Sequence, residues 1–158
     1  SQLFYFHIAA FKPDDFRQVQ EINLSSTYFD SCFETKLHKA GSIPIVFSMP
    51  VLPAAPHHAH YAAAKAGMVN LTKSLACELA PVIRENCIAP SITITPMGQD
   101  SVSNLPPDYA KKTCLQPVFA PEENPYYNVT LASPSASFVI GAAQDLNAGR
   151  YICWESQP

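Results

Sequence analysis

Apolar residues come in three kinds of run along this chain, and their spacing predicts an alternation of strands and helices. Residues 2–10 are continuously apolar and aromatic, as in a strand covered on both faces. Lys12-Pro13-Asp14-Asp15 then carries the marks of a helix start, with an early proline and acids in the first turn. Phe16, Val19, Ile22, Leu24 and Phe29 recur at roughly helical spacing to about His38, and Gly41 is expected to end that helix. Ile43 to Phe47 reads as a second strand, against a mild objection from Pro44. After a Pro- and His-rich loop at 49–58, residues 59–80 form an Ala-rich helix with Met68, Leu71, Leu75 and Leu79 on one side, closed by Pro81. Ile83 to Ala89 reads as a third strand. A short helix around 121–132 and a strand around 138–146 complete the pattern.

The segment 96–125 differs from the rest. It holds six of the fifteen prolines and only a short helix-like patch near 107–112, so it is expected to be a long loop covering a binding site. Strand–helix alternation elsewhere implies an α/β fold with a parallel sheet and right-handed crossovers, in a single domain spanning 1–158.

Composition narrows the function classes. With 47% apolar and 15% charged residues, the 158-residue chain can bury a core. A net charge of −3 without a basic stripe gives no support to nucleic-acid binding. No apolar run is long enough for a membrane span, and the N-terminal residues lack a basic segment of the signal-peptide kind. Five scattered cysteines (Cys32, Cys77, Cys87, Cys114 and Cys153) without a Cys-x-x-Cys pair suggest free thiols in a reducing, cytoplasmic setting. Cys77 and Cys87 are expected to be buried as small hydrophobes. His57, His58 and His60 lack the spacing and the Cys or acid partners of a zinc site, so no metal is expected.

One pair of residues carries chemistry by its spacing. Tyr61 and Lys65 stand four apart in the second long helix, on one face and one turn from each other. There the ammonium can favour the tyrosinate and turn a weak phenol into a usable proton donor and acceptor.

Further residues stand in register with that pair. Ser48 precedes Tyr61 by thirteen residues, and Asn23 lies in Glu21-Ile22-Asn23-Leu24. The segment Glu85-Asn86-Cys87-Ile88-Ala89-Pro90-Ser91-Ile92-Thr93-Ile94-Thr95 echoes a Val-Asn-x-Ile-x-Pro-Gly-x-x-x-Thr pattern. With these residues the chain resembles the short-chain dehydrogenase/reductase family, strongly from about 61 to 97 and weakly at its ends. The resemblance implies the C-terminal portion of a Rossmann-like three-layer fold and an NAD(P)-dependent oxidoreductase that reduces a carbonyl or oxidises an alcohol. It implies that Tyr61 is the general acid or base and that Lys65 lowers its pKa and holds the nicotinamide ribose. Ser48 would orient the substrate oxygen and Asn23 a relay water. Pro90, Thr93 and Thr95 would lie at the nicotinamide, with NADP or NAD as cofactor. The helices at 13–38 and 59–80 would form a homo-oligomer contact.

The departures from the family pattern set a second expectation. Glycines stand at 41, 67, 98, 141 and 149, never close enough together for the glycine-rich turn that cradles a pyrophosphate. Residue 1 enters at what would be the family's fourth strand, so the chain reads as a truncated member without the adenosine- and pyrophosphate-binding half. Ser91 follows Pro90 where the family has glycine, and Ala148-Gly149 replaces a terminal Gly-Gly. The alternative function is a non-catalytic, oligomeric binding or interaction module on the same scaffold.

Overall fold

The computed structural model describes residues 12–37, 39–46, 57–96, 99, 103, 113–115 and 121–150, and these alternate helix and strand around a parallel sheet. In chain order they form α1 (Pro13–Gln20), a π-helical turn (Glu21–Ser25), α2 (Ser26–Leu37), β1 (Gly41–Val46), α3 (Ala59–Leu79), β2 (Ile83–Pro90), α4 (Glu123–Ala132), a 3-10 turn (Pro134–Ala136) and β3 (Ala143–Leu146). The described sheet has the order β1-β2-β3, all parallel, with Gly41 opposite Ile83 and Cys87 opposite Ala143. This is the α/β class that the strand–helix alternation predicts. The expected strand at 2–10 and the helical patch near 107–112 lie outside the described residues, as does most of the 96–125 loop.

The first helical arm is not uniform, and its own side chains supply the reason. Asn23 Nδ2 donates to the Val19 carbonyl at 3.0 Å, Ser26 Oγ to that of Ile22 at 2.7 Å, and Thr27 Oγ1 to that of Asn23 at 3.1 Å. These three bonds to carbonyls one turn back compete with the backbone ladder where the helix takes its π turn. Gly41 does not end this arm as expected. It is the first residue of β1, where its N–H donates to the Val82 carbonyl at 3.2 Å.

Helix α3 buries His60, Ala64, Lys65, Met68, Thr72, Leu75 and Ala76, a single stripe at helical spacing. Ala80 is extended ahead of Pro81, as the residue before a proline prefers, and this ends the helix. Where α3 crosses the π turn the two backbones approach closely. A Cβ on Gly67 would stand 2.9 Å from a Leu24 methyl, so glycine sets the spacing.

Strand β2 is covered on both faces. Cys87 and Ala89 join Ile45 and Met68 in one core cluster, with Leu24, Ile43 and Val69 packed against it. Ile88 joins Leu131 and Ala136 in the other, with Tyr127, Val139 and Leu146 alongside. The expected strand at 138–146 shortens to residues 143–146. The Val139 carbonyl, which a longer strand would pair in the ladder, instead accepts from Arg84 Nη1 at 3.1 Å and Asn86 Nδ2 at 2.8 Å, and Phe138 is fully exposed. Gly141 turns the chain with φ of 65° into β3.

The cysteines depart from expectation at two positions. Cys32, Cys77 and Cys87 are free thiols, but Cys77 lies on the exposed side of α3 and only Cys87 is fully buried. Cys114 is disulfide-bonded, against the expectation of free thiols. Its segment runs beside residues 147–149, with the N–H groups of Cys114 and Leu115 donating to the Ala148 carbonyl at 2.7 and 3.2 Å. Spacing along the chain carries no sign of that juxtaposition.

Candidate active site

The carboxyl ends of parallel strands are where α/β folds collect binding groups, and the candidate residues lie around the corresponding end of this sheet. Tyr61 stands in the first turn of α3, its N–H donating to the His58 carbonyl at 3.0 Å. Lys65 follows one turn later with its ammonium 5.1 Å from the centre of the Tyr61 ring. That distance lies within the range of cation–π attraction. Lys65 is 7% exposed, and its ammonium donates to Met68 Sδ at 3.5 Å, a weak acceptor. Among the described residues no carboxylate pairs with it. Burial accordingly pulls the Lys65 pKa down from 10.5 to about 8.

Asn23 reaches this neighbourhood on the π turn. Gln20 Nε2 donates to the His60 carbonyl at 2.7 Å, and Leu24 packs on Gly67, so the turn is fixed to α3 on both sides of Tyr61 and Lys65. The Asn23 amide is committed to the Val19 carbonyl. Buried His60 has its pKa lowered, by desolvation first, then by His58, against an opposing pull from Asp15. Pro90 ends β2, and Ser91 N–H donates to the Leu146 carbonyl at 2.8 Å. Thr93 Oγ1 donates to the Ser91 carbonyl at 3.0 Å, and Thr95 is half-buried nearby in sequence. Ser48 lies outside the described residues. The structure therefore brings Tyr61 and Lys65 together, carries Asn23 alongside their helix, and sets Pro90, Thr93 and Thr95 at the exit of the central strand.

Sequence reasoning missed four residues that build this frame. Gln20 and Met68 touch the candidate pair's helix turn. Arg84 donates to the carbonyls of Val139, Leu131 and Ser133 at 3.1, 3.0 and 3.1 Å. Asn86 donates to the Val139 carbonyl and accepts from Ala142 N–H at 3.0 Å. Arg84, Glu85 and Asn86 are three consecutive polar residues in β2, so no alternation with apolar residues marks Arg84 and Asn86 in the sequence. Among the described residues no group of three metal-ligating side chains gathers, and no helix is long and apolar enough to cross a membrane.

This fold has counterparts among known proteins. A family model described as enoyl-(acyl carrier protein) reductase matches residues 6–150. The chain belongs to the short-chain dehydrogenase/reductase family, a family of NAD(P)-dependent oxidoreductases. It is similar to a short-chain type dehydrogenase/reductase of Sinorhizobium fredii, 33% identical over 145 residues that cover 86% of this chain and 26% of the relative. It is likewise similar to the 3-oxoacyl-[acyl-carrier-protein] reductase of Chlamydia pneumoniae, 33% identical and covering 86% of this chain and 56% of that one. Among solved structures it resembles a 3-oxoacyl-[acyl-carrier protein] reductase from Brucella melitensis with bound NAD. The two are 29% identical with a TM-score of 0.79, covering 92% of this chain and 55% of that one. The chain spans about a quarter to a half of the length of the curated relatives first matched.

Proposed function

We propose that this chain carries the proton-transferring part of an NAD(P)-dependent carbonyl reductase or alcohol dehydrogenase. The observation that supports it most is Lys65, an ammonium buried against the Tyr61 ring with only a thioether as its described acceptor. A buried cation of this kind is short of oxygen partners, and the hydroxyls of a nicotinamide ribose are suitable ones. The residues present thus fit the nicotinamide end of the cofactor. Bound there, NADH or NADPH would supply the hydride. Tyr61 would give its phenolic proton to the substrate oxygen in reduction and take it back in oxidation. Lys65 would hold the ribose and favour the tyrosinate, Asn23 would hold a water of the proton relay, and Ser48 would orient the substrate oxygen. Pro90, Thr93 and Thr95 would line the carboxamide side. Exposed Phe29 and Phe33, one turn apart on α2, support a homo-oligomer contact through the two helical arms.

The test is a fluorescence titration of the chain with NADPH and then NADH, followed by carbonyl reduction assays of wild type and Tyr61→Phe. Saturable binding, with turnover lost in the variant, is the expected result. An absence of saturable binding up to about millimolar cofactor, a level at which binding is worth about 4 kcal/mol, would overturn it.

A further inference from the structure

Among the described residues Glu85 is the one fully buried acid. It occupies the third position of β2, where the family pattern echoed by 85–95 has valine. It lies on the same face of the strand as Ile83, Cys87 and Ala89, opposite Ile43 of β1. Ser31 of α2, itself 2% exposed, donates to Glu85 Oε1 at 3.4 Å, while Oε2 has no partner.

We propose that Glu85 is a proton-operated latch between β2 and α2, closed when its carboxyl is protonated and loosened when it ionises. A carboxylate presents about four lone-pair sites, and here one neutral hydroxyl serves one oxygen. From α3 the nearby Thr72 hydroxyl is spent on the Met68 carbonyl at 3.0 Å. From β1 the facing residue is Ile43. On β2 itself the neighbour is Cys87, whose thiol pKa is pushed up by burial first, against a lowering by its hydrogen bond with Thr72, with Glu85, Lys73 and Asp145 acting on it more weakly. No cation among the described residues reaches Glu85. The surroundings accommodate an acid and not its anion, and burial accordingly lifts the carboxyl from 4.5 to about 7, against a smaller lowering by Ser31. The native state therefore holds this proton more tightly than the unfolded chain. The stability it lends is present at low pH and is lost as pH rises between about 4.5 and about 7. Beyond that range the anion must find water, and parting α2, which covers the carboxyl through Ser31, from the strand would admit it. Because α2 continues backwards into the π turn, the opening reaches Asn23.

Thermal unfolding of the full chain at about pH 5 and about pH 8, with Glu85→Gln and Glu85→Val beside it, tests the latch. Wild type should lose about 5 °C or more over that interval and both variants should lose less, at the usual scaling of several degrees per kcal/mol. Amide exchange should accelerate in α2 relative to α4 in wild type alone. Equal slopes in wild type and Glu85→Gln would overturn the proposal. Should neither variant fold, the infrared carbonyl band of a protonated carboxylic acid decides it in wild type: its presence near pH 6 and loss near pH 8 supports the latch, and its absence near pH 6 overturns it.

Discussion

Lys65, buried on α3, holds its ammonium 5.1 Å from the centre of the half-buried Tyr61 ring, with Met68 Sδ at 3.5 Å. Charge is kept where the surroundings disfavour it, so the pair should cost the fold stability. The Lys65 pKa falls from 10.5 to about 8, so the unfolded chain binds this proton more tightly than the native one. Stability should then rise between about pH 8 and about 10.5, and the penalty should be fully present below about 8. Replacing Lys65 by Met is expected to stabilise the chain at neutral pH by about 1–2 kcal/mol and to flatten that alkaline rise, both read by urea unfolding. The same variant should lose the proposed activity.

The contact between Leu24 and Gly67 makes a graded prediction. Alanine at 67 meets the flexible end of Leu24, and better helix propensity offsets the crowding, so stability should change by less than about 1 kcal/mol. Leucine there has no room and should destabilise by about 2–3 kcal/mol. It should also move Asn23 away from α3, which a shift of the Asn23 side-chain amide resonances would report.

Arg84 and Asn86 hold the turn before β3 by side chains. Arg84→Met leaves the carbonyls of Leu131 and Ser133 without that donor and should cost about 2–4 kcal/mol in chemical denaturation. A loss below about 0.5 kcal/mol would show that water replaces the guanidinium at no cost.

Ala148 sits at φ 56°, in the left-handed region, where the family pattern has glycine. An L-residue there costs about 1–2 kcal/mol. Ala148→Gly should therefore raise stability by up to about 1 kcal/mol after the added freedom of the unfolded chain is counted. Calorimetric unfolding at neutral pH measures it.

Legibility in the sequence followed the reach of local physics. Pro13 with Asp14 and Asp15, Met68 and Leu75 on the packed side of α3, and Pro81 as its stop are governed by neighbours within a turn or two and appear where the pattern puts them, whereas Leu71 and Leu79 of the expected face are only half-buried. The Tyr61–Lys65 contact is equally local. The β3 boundary differs from the expected one because Phe138-Val139-Ile140 has strand composition, whereas the carbonyl that would extend the ladder is taken by side chains more than fifty residues earlier. The π turn depends on three polar side chains acting together, and Cys114 on a segment over thirty residues away. Glu85 stands in the sequence between two other polar residues, Arg84 and Asn86, so nothing local marks it as the buried one, and its packing against Ser31 comes from the fold.

A strand apolar on both sides is open to mispairing, since a shift of one residue exchanges its two faces at little hydrophobic cost. In β2 that error is heavily penalised. It would carry the Arg84 guanidinium and the Asn86 amide into the layer of α2 and α3 and leave the carbonyls of Leu131, Ser133 and Val139 without those donors. The two polar residues thus act as an alignment key. They make one pairing of the central strand far better than its neighbours, and the carboxyl end of the sheet, with Pro90 and the threonines beyond it, inherits its position from that choice.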